Sequence, residues 1–144
     1  MGSGAIFRNK KEMVLMVTPT YKDDFEIPGG VVEENESPLA ACKREIKEEL
    51  GLDVKMGRLL CVDYYPTQYP LTESLMFVFD GGVLSEDEII GIKTQEDELL
   101  GFVFLSLADI RGKTSEALYK RIKQALWAID KGEVCYLESG TVRY

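Results

Sequence analysis

Residues 37–51 constrain the fold more than any other part of the chain, because they carry the signals for both ends of a helix and for its buried face. Ser37 is a typical N-cap and Pro38 suits the first helical position. Gly51 suits the left-handed residue that follows a last helical turn. Apolar residues recur between these ends at helical spacing and predict a buried stripe, formed by Leu39, Cys42, Ile46 and Leu50.

A second face of this predicted helix carries three acids. At about 100° per residue, Glu45, Glu48 and Glu49 fall within one arc roughly 100° wide, next to the buried stripe. Like charges at these spacings destabilise a helix, and a solvated helix face usually alternates the sign of its charges. A divalent cation would relieve the repulsion, and ligands that are all oxygen favour Mg²⁺ or Mn²⁺. Taken alone, the cluster is also compatible with a plain acidic surface.

Charge and residue types exclude several classes of function. The net charge is −8 and no basic patch is visible, which argues against a nucleic-acid partner. The chain contains no histidine, so His-dependent triads and His-ligated zinc are excluded. The chain has neither a long apolar run nor a signal-peptide pattern, so nothing in the sequence indicates a membrane partner. Three cysteines far apart in apolar surroundings indicate buried thiols in a reducing cytoplasm: Cys42, Cys61 and Cys135.

The order of the predicted elements indicates one α/β domain with a mixed sheet. A length of 144 residues fits a single domain over 5–144, and residues 1–4 look like an expression scar or a disordered terminus. Asp80-Gly81-Gly82 predicts a turn or bulge, and a second helix begins at Thr114 or Ser115 and ends at Gly132. Strands are predicted at 5–8, 13–18, 58–65, 75–79, 102–105 and, as an edge strand, 134–137.

The segment from Gly30 to Leu52 resembles the Nudix box. It reads GVVEENESPLAACKREIKEELGL, and the preceding FEIPGG also matches the lead-in that is usual in that family. The match extends without a departure over the 23 residues of the motif. Every defined position is filled, by Gly30, Glu36, Arg44, Glu45, Ile46, Glu48, Glu49, Gly51 and Leu52.

The resemblance implies a Nudix-type α/β/α sandwich in which a loop–helix–loop binds Mg²⁺, with Mn²⁺ as an alternative. Glu48 and Glu49 would hold the metal and Glu45 would be a ligand or the base. A backbone carbonyl near Gly29 or Gly30 would complete the shell, since glycine lets the backbone approach without a Cβ clash.

Other box residues are expected to support the structure. Glu36 and Arg44 would form an ion pair that fixes the loop against the helix, and Gly51 would end that helix. The family often uses a further acid from a later loop, about six positions before an aromatic residue that starts a strand. Glu98 precedes Phe104 by that spacing. Glu96 and Asp97 are alternatives, and all three could instead be solvated loop acids.

The resemblance implies Mg²⁺-dependent hydrolysis of a phosphoanhydride bond in a nucleoside diphosphate linked to another moiety. Water would attack phosphorus, and Glu45 or Glu98 would take the proton. We expect Glu48→Gln or Glu49→Gln to reduce turnover by orders of magnitude without unfolding the chain.

The substrate itself stays open at this point. The short chain fits a member that acts on a modified nucleoside triphosphate such as 8-oxo-dGTP. Pro66 favours ADP-ribose and Tyr69 favours dinucleoside polyphosphates, so these two signals conflict; nucleotide sugars are a further alternative. Six aromatic residues are candidates to stack on a base: Phe7, Tyr21, Phe25, Tyr64, Tyr65 and Tyr69.

Two further alternatives concern the whole chain. A nucleotide-binding sensor of the same fold, without turnover, is the alternative of another class, although such proteins usually lose box residues. The predicted edge strand near Cys135 would also allow two copies to pair as a homodimer.

Overall fold

One mixed eight-stranded sheet organises the part of the chain that the computed structural model describes, namely residues 1–20, 23–68, 70–94 and 99–143. Helices pack on both faces of this sheet. The strands are β1 (Gly2–Arg8), β2 (Val14–Pro19), β3 (Gly29–Val31), β4 (Leu59–Tyr65), β5 (Ser74–Val83), β6 (Leu99–Leu105), β7 (Cys135–Glu138) and β8 (Thr141–Val142). The helices are α1 (Pro38–Leu50), α2 (Glu86–Ile90), α3 (Leu107–Ile110) and α4 (Glu116–Lys131).

β1 lies at the centre of the sheet, whose strand order is β6-β2-β1-β5-β4-β7-β8. It runs parallel to β5 and antiparallel to β2 and β3. Its first residues pair with β3, whereas its last residue pairs with β2. The start of β1 therefore holds the segment that leads into α1.

Alternate residues of β1 enter two separate cores. Ile6 packs in a cluster with Ile122 of α4, on one face of the sheet. Ala5 and Phe7 pack in another cluster with Ile46 of α1, on the opposite face. This alternation confirms the predicted α/β/α sandwich with a mixed sheet.

The expectation that residues 1–4 form a disordered terminus is wrong. Gly2, Ser3 and Gly4 are buried and belong to β1. They pair with Val31, Gly30 and Gly29 of β3 on one side and with β5 on the other. A short glycine-rich segment looks like a frayed end in sequence, but here the small residues allow close approach of neighbouring chains: a Cβ at Gly4 would lie 2.8 Å from the Pro28 carbonyl oxygen.

The predicted ends of α1 are confirmed, but its buried face is rotated. Ser37 Oγ accepts from the Ala40 amide, and Gly51 adopts a left-handed conformation with φ 67°. Leu39, predicted in the stripe, is 37% exposed, whereas Glu49 is only 6% exposed. The helix therefore turns part of its acidic flank towards the sheet.

The structure selects one of the predicted alternatives at two further positions and corrects a third prediction. Asp80-Gly81-Gly82 forms the predicted bulge rather than a turn: β5 continues through it, and its register with β1 shifts there. Ser115, not Thr114, caps α4, and Gly132 ends this helix. The segment predicted as an edge strand is paired on both sides, by β4 and β8.

Two other expectations concern the cysteines and membrane-spanning helices. All three cysteines are buried and free of disulfides, as predicted. No helix within the described ranges is long and apolar enough to cross a membrane.

Candidate active site

A cleft of about 950 Å³ opens where β1 begins. Glu45 and Glu49 of α1 and the Gly29–Gly30 backbone of β3 line it from one face of the sheet. Leu118 and Arg121 of α4 line it from the other face. The cleft therefore joins the predicted acidic site to the opposite side of the domain.

The start of β1 fixes the loop that carries the two glycines. Ser3 is paired with Gly30, and Gly4 is paired with Gly29. The Ser3 hydroxyl also donates to the Pro38 carbonyl at 2.6 Å, at the first turn of α1. One strand thus holds both the loop and the beginning of the acidic helix.

Glu49 is held by the backbone of this loop. The Gly29 amide donates to Glu49 Oε1 at 2.8 Å. Gly29 has φ 153°, and a Cβ there would overlap the Ser3 backbone. Only glycine allows this approach, so a nearly buried carboxylate is oriented towards the cleft by a backbone amide.

Glu45 packs directly against the neighbouring glycine. A Cβ at Gly30 would overlap the Glu45 carboxylate. Glu45 Oε1 also accepts from Arg44 Nη1 at 2.8 Å. The absence of a side chain at Gly30 therefore leaves the space in which this carboxylate lies.

Glu48 occupies a different position from the other two acids of the helix. Its carboxylate Oε2 lies 3.4 Å from Arg44 Nη1, its side chain is 45% exposed, and it is not among the residues that line the cleft. Glu45 and Glu48 therefore converge on the same guanidinium nitrogen, while Glu45 and Glu49 share the cleft.

Arg44 and Glu36 tie the loop before α1 to the helix. Arg44 Nε donates to Glu36 Oε2 at 2.8 Å, and Arg44 Nη2 donates to Glu36 Oε1 at 3.0 Å. Nη2 also donates to the Val31 carbonyl at 3.1 Å. These hydrogen bonds from Arg44, with one from the Glu33 amide, lower the pKa of Glu36 to about 2. The same contacts raise the pKa of Arg44.

The donors at this end of the cleft fit a hard divalent cation, because they are carboxylate and backbone oxygens next to glycines without Cβ atoms. Across residues 1–20, 23–68, 70–94 and 99–143, however, no three acidic or cysteine side chains are close enough to form a ready metal-binding group. The predicted later acid, Glu98, lies outside the described residues, as do its alternatives Glu96 and Asp97.

The predicted aromatic residues are only partly brought to the cleft. Tyr65 lines it, Phe7 is fully buried in the core, and Tyr21 and Tyr69 lie outside the described residues. Of the six candidates for stacking on a base, only Tyr65 is among the described residues that line the cleft.

Sequence reasoning missed the buried pair formed by Asp63 and Arg121. Arg121 Nε donates to Asp63 Oδ2 at 2.7 Å across the cleft wall. The signals were present: Asp63 follows Cys61 at the two-residue spacing of one strand face, and Arg121 follows Leu118 at the spacing of one helix face. A charge on each of two predicted buried faces indicates a pair between them.

Comparisons with known proteins agree with this geometry. The NUDIX domain family matches residues 1–126. Human "Diphosphoinositol polyphosphate phosphohydrolase 3-alpha" is 36% identical over 83 residues, which are 56% of this chain and 50% of that protein. The "RNA pyrophosphohydrolase" of Hydrogenovibrio crunogenus is 32% identical over 106 residues, 65% of this chain and 64% of that protein.

A solved structure extends the comparison to nearly the whole chain. The crystal structure of a "UDP-X diphosphatase" superposes with a TM-score of 0.77 at 25% identity, and covers 95% of this chain and 66% of that one. The chain spans less than two thirds of the length of the curated relatives given above. A family match over most of the chain, together with a complete box folded as loop and helix around one cleft, shows that the protein belongs to the Nudix family.

Proposed function

We propose that the protein is a metal-dependent pyrophosphohydrolase that cleaves a phosphoanhydride bond in a nucleoside diphosphate linked to another moiety. One observation carries this proposal: Glu45 and Glu49 of a complete Nudix box lie in the same large cleft as the Gly29–Gly30 backbone. Two relatives support the reaction class, because one is named as a phosphohydrolase of diphosphoinositol polyphosphates and the other as a pyrophosphohydrolase of RNA.

Glu45, Glu48 and Glu49, with the Gly30 carbonyl, are the residues proposed to hold Mg²⁺, or Mn²⁺. When bound, the metal would neutralise charge on the diphosphate and lower the pKa of a water molecule. Glu48 would complete the set from its place beside Arg44, which it shares with Glu45.

The chain's own groups would orient these acids and move a proton. Arg44 holds Glu45 from one side, and the Gly29 amide holds Glu49. Fixed hydrogen bonds of this kind reduce the reorganisation needed when water attacks phosphorus. Glu45 or Glu98 would take the proton from the attacking water.

The lining of the cleft favours a substrate with few phosphates. Its described side chains include four carboxylates, from Glu26, Glu45, Glu49 and Glu73, and one guanidinium, from Arg121. A ligand with many phosphates needs several cations to offset its charge. A nucleotide carries one short phosphate chain, which a metal at the Glu45 and Glu49 end would neutralise, and an uncharged base for the rest of the cleft.

A hydrolysis screen tests the proposal. The panel contains dNTPs, oxidised dNTPs, ADP-ribose, nucleotide sugars and dinucleoside polyphosphates. A diphosphoinositol polyphosphate and a 5′-triphosphorylated RNA are added because relatives carry those names. We expect Mg²⁺-dependent release of a nucleoside monophosphate product from at least one nucleotide, with no product in excess chelator.

Three results would contradict parts of the proposal. Turnover confined to the diphosphoinositol polyphosphate or to RNA would overturn the substrate class. Nucleotide binding without any product would favour a sensor of the same fold. Equal turnover with and without chelator would remove the metal.

A further inference from the structure

Arg121 presents an oriented guanidinium to the cleft. Its side chain is only 10% exposed, and Asp63, to which it is bound, is fully buried. Asp63 Oδ2 accepts from Arg121 Nε at 2.7 Å, and Asp63 Oδ1 accepts from the Gly140 amide at 3.0 Å. Both oxygens of Asp63 are therefore used, and the guanidinium is fixed through its inner nitrogen.

The two outer nitrogens of this guanidinium are available to a ligand. Among the residues that the structure describes, neither Nη1 nor Nη2 of Arg121 has a hydrogen-bond partner, although Arg121 lines the cleft. A guanidinium that is nearly buried normally has its donors satisfied. Because Gly140 takes the second oxygen of Asp63, the end-on pair Nη1 and Nη2 is left for a molecule in the cleft.

Apart from Asp63, the residues beside Arg121 on the α4 face of the sheet are glycine or apolar. Gly2 is paired with Met76, Gly4 with Val78, and Asp63 with Met76, so all five residues share the α4 face of the sheet. The two glycines contribute backbone only. On this face, apolar side chains of β5 and α4, including Met76, Val78 and Leu118, line the cleft beside the strand backbone of the two glycines.

We propose that Arg121 binds the base of the nucleotide, through an edge that presents two adjacent acceptors, as guanine does with O6 and N7. This inference rests on the proposed nucleotide substrate. Two parallel N–H donors match such an edge, which is the arrangement that arginine makes with guanine elsewhere. Adenine places an amino donor at the corresponding position and would be disfavoured.

A phosphate is the competing occupant for a guanidinium, and the surroundings disfavour it. Asp63 already neutralises Arg121, and Glu26 and Glu73 line the same cleft. A dianion placed among apolar walls with no second cation would be desolvated without compensation. An uncharged acceptor edge avoids that penalty and still satisfies both donors.

Replacing a single atom of the base tests the assignment. We would measure kcat/KM and the calorimetric Kd for dGTP, 7-deaza-dGTP and dATP, where 7-deazaguanine differs from guanine by the loss of the N7 acceptor. The native protein is expected to prefer dGTP over the other two by about 10-fold or more. 8-Oxo-dGTP, whose N7 carries a hydrogen, should be disfavoured with 7-deaza-dGTP.

Variants of Arg121 separate base recognition from stability. Arg121→Lys keeps the charge but not the paired donors, so its preference for dGTP over 7-deaza-dGTP should fall to about 2-fold or less. Arg121→Met with Asp63→Asn avoids a lone buried carboxylate, keeps an acceptor for the Gly140 amide and should behave likewise. Arg143→Lys, at a side chain 63% exposed and outside the cleft lining, is the matched control and should keep the native preference.

The outcomes are distinct. A native protein that treats dGTP and 7-deaza-dGTP alike, or an Arg121→Lys variant that keeps the native ratio, would overturn the inference. An equal loss for all nucleotides and for inorganic tripolyphosphate would assign Arg121 to phosphate instead. A dGTP preference in Kd without product would support base recognition and contradict only the proposed hydrolysis.

Discussion

Arg44 is the residue on which the loop and the helix of the site both depend. Its three nitrogens contact Glu36, Glu45, Glu48 and the Val31 carbonyl. One guanidinium therefore offsets the repulsion among carboxylates that the sequence analysis assigned to a metal. The acidic cluster is partly balanced by the chain itself, through paired, charge-assisted hydrogen bonds.

The ion pair of Glu36 predicts a pH dependence of stability. The pKa of Glu36 is lowered to about 2 from an ordinary 4.5, so the folded state binds its proton less readily than the unfolded state. The stabilisation is complete above about pH 4.5 and is lost as the pH falls towards 2. Glu36→Gln should be less stable than the native protein at pH 7, and this difference should shrink by pH 3.

Denaturant unfolding of both proteins from pH 7 to pH 3 measures this difference. A gap in the free energy of unfolding that stays constant over the range would show that Glu36 acts through packing rather than through its charge.

The three acids of α1 predict a loss of turnover when any one of them is neutralised. Glu45→Gln and Glu49→Gln should each lower kcat by about 100-fold or more, since each removes a charged oxygen from the proposed metal site. Glu48→Gln should also lower kcat, because Glu48 is the third acid proposed for that site. Glu34→Gln is the matched control, because Glu34 is an exposed acid in the loop that precedes α1. Near-native kcat in the variants of Glu45, Glu48 and Glu49 alike would remove the metal assignment.

The members of the candidate site within the box could be predicted from the sequence, because one loop and one helix fix their spacing. Burial could not be predicted as well. Leu39 is exposed and Glu49 buried because the helix rotates to let the Gly29 amide reach a carboxylate, which is a contact between distant segments. The Asp63–Arg121 pair is likewise a contact between distant segments, since its two residues are 58 positions apart in the sequence.

At the scale of elements, the N-cap of α1 predicts a local contribution to stability. Ser37 Oγ accepts from the Ala40 amide at 3.1 Å. Ser37→Ala should lower the free energy of unfolding by about 1 kcal/mol. Ser37→Asn, which keeps a capping acceptor, should restore most of that loss. Equal unfolding midpoints for the alanine and asparagine variants would contradict a capping role.

The approach of β3 to α1 predicts a strict requirement for glycine. Gly30→Ala would drive a methyl group into the Glu45 carboxylate and should reduce kcat strongly while the fold is retained. Gly101→Ala is the matched control, because no atom lies within 4 Å of the position that its Cβ would occupy. Similar kcat values for both variants would show that the contact of Gly30 with Glu45 has no catalytic consequence.

Helices whose ends carry capping residues were predicted well, whereas strands that depend on pairing with a distant strand were not. Both long helices have the predicted caps at Ser37, Gly51 and Gly132. The glycines at 81 and 82 indicated a turn or bulge, but only the pairing of β5 with β1, where Gly81 leaves room for the ring of Phe7, selects the bulge. The two-residue β8 exists through its pairing with β7. The capping box of Ser85 and Glu88 could have revealed α2.

For the whole molecule, the burial of the first residues predicts that they are essential. Residues 2–4 pair with both β3 and β5, and Ser3 also binds the start of α1. Deleting residues 2–4 should lower the free energy of unfolding by at least about 2 kcal/mol, because several backbone hydrogen bonds are lost. It should also abolish turnover. A truncated protein with native stability and kcat would mean that β3 is held in place by other contacts.

The cleft connects the two faces of the sheet, so the proposed chemistry and the proposed base site belong to one arrangement. The acids proposed to bind the metal come from α1, and the guanidinium proposed to bind the base comes from α4. β1 and β5 lie between them and fix their separation. The reaction class could be predicted from a local motif, whereas the proposed base site became visible only in the assembled sheet.

Anomalous diffraction from crystals grown with Mn²⁺ and a non-hydrolysable nucleotide would show whether Glu45 and Glu49 bind a metal. We expect a manganese peak in the cleft, coordinated by Glu45 and Glu49 and by oxygens of the diphosphate. A nucleotide bound with no manganese peak near those glutamates, or the glutamates turned to bulk solvent, would contradict it.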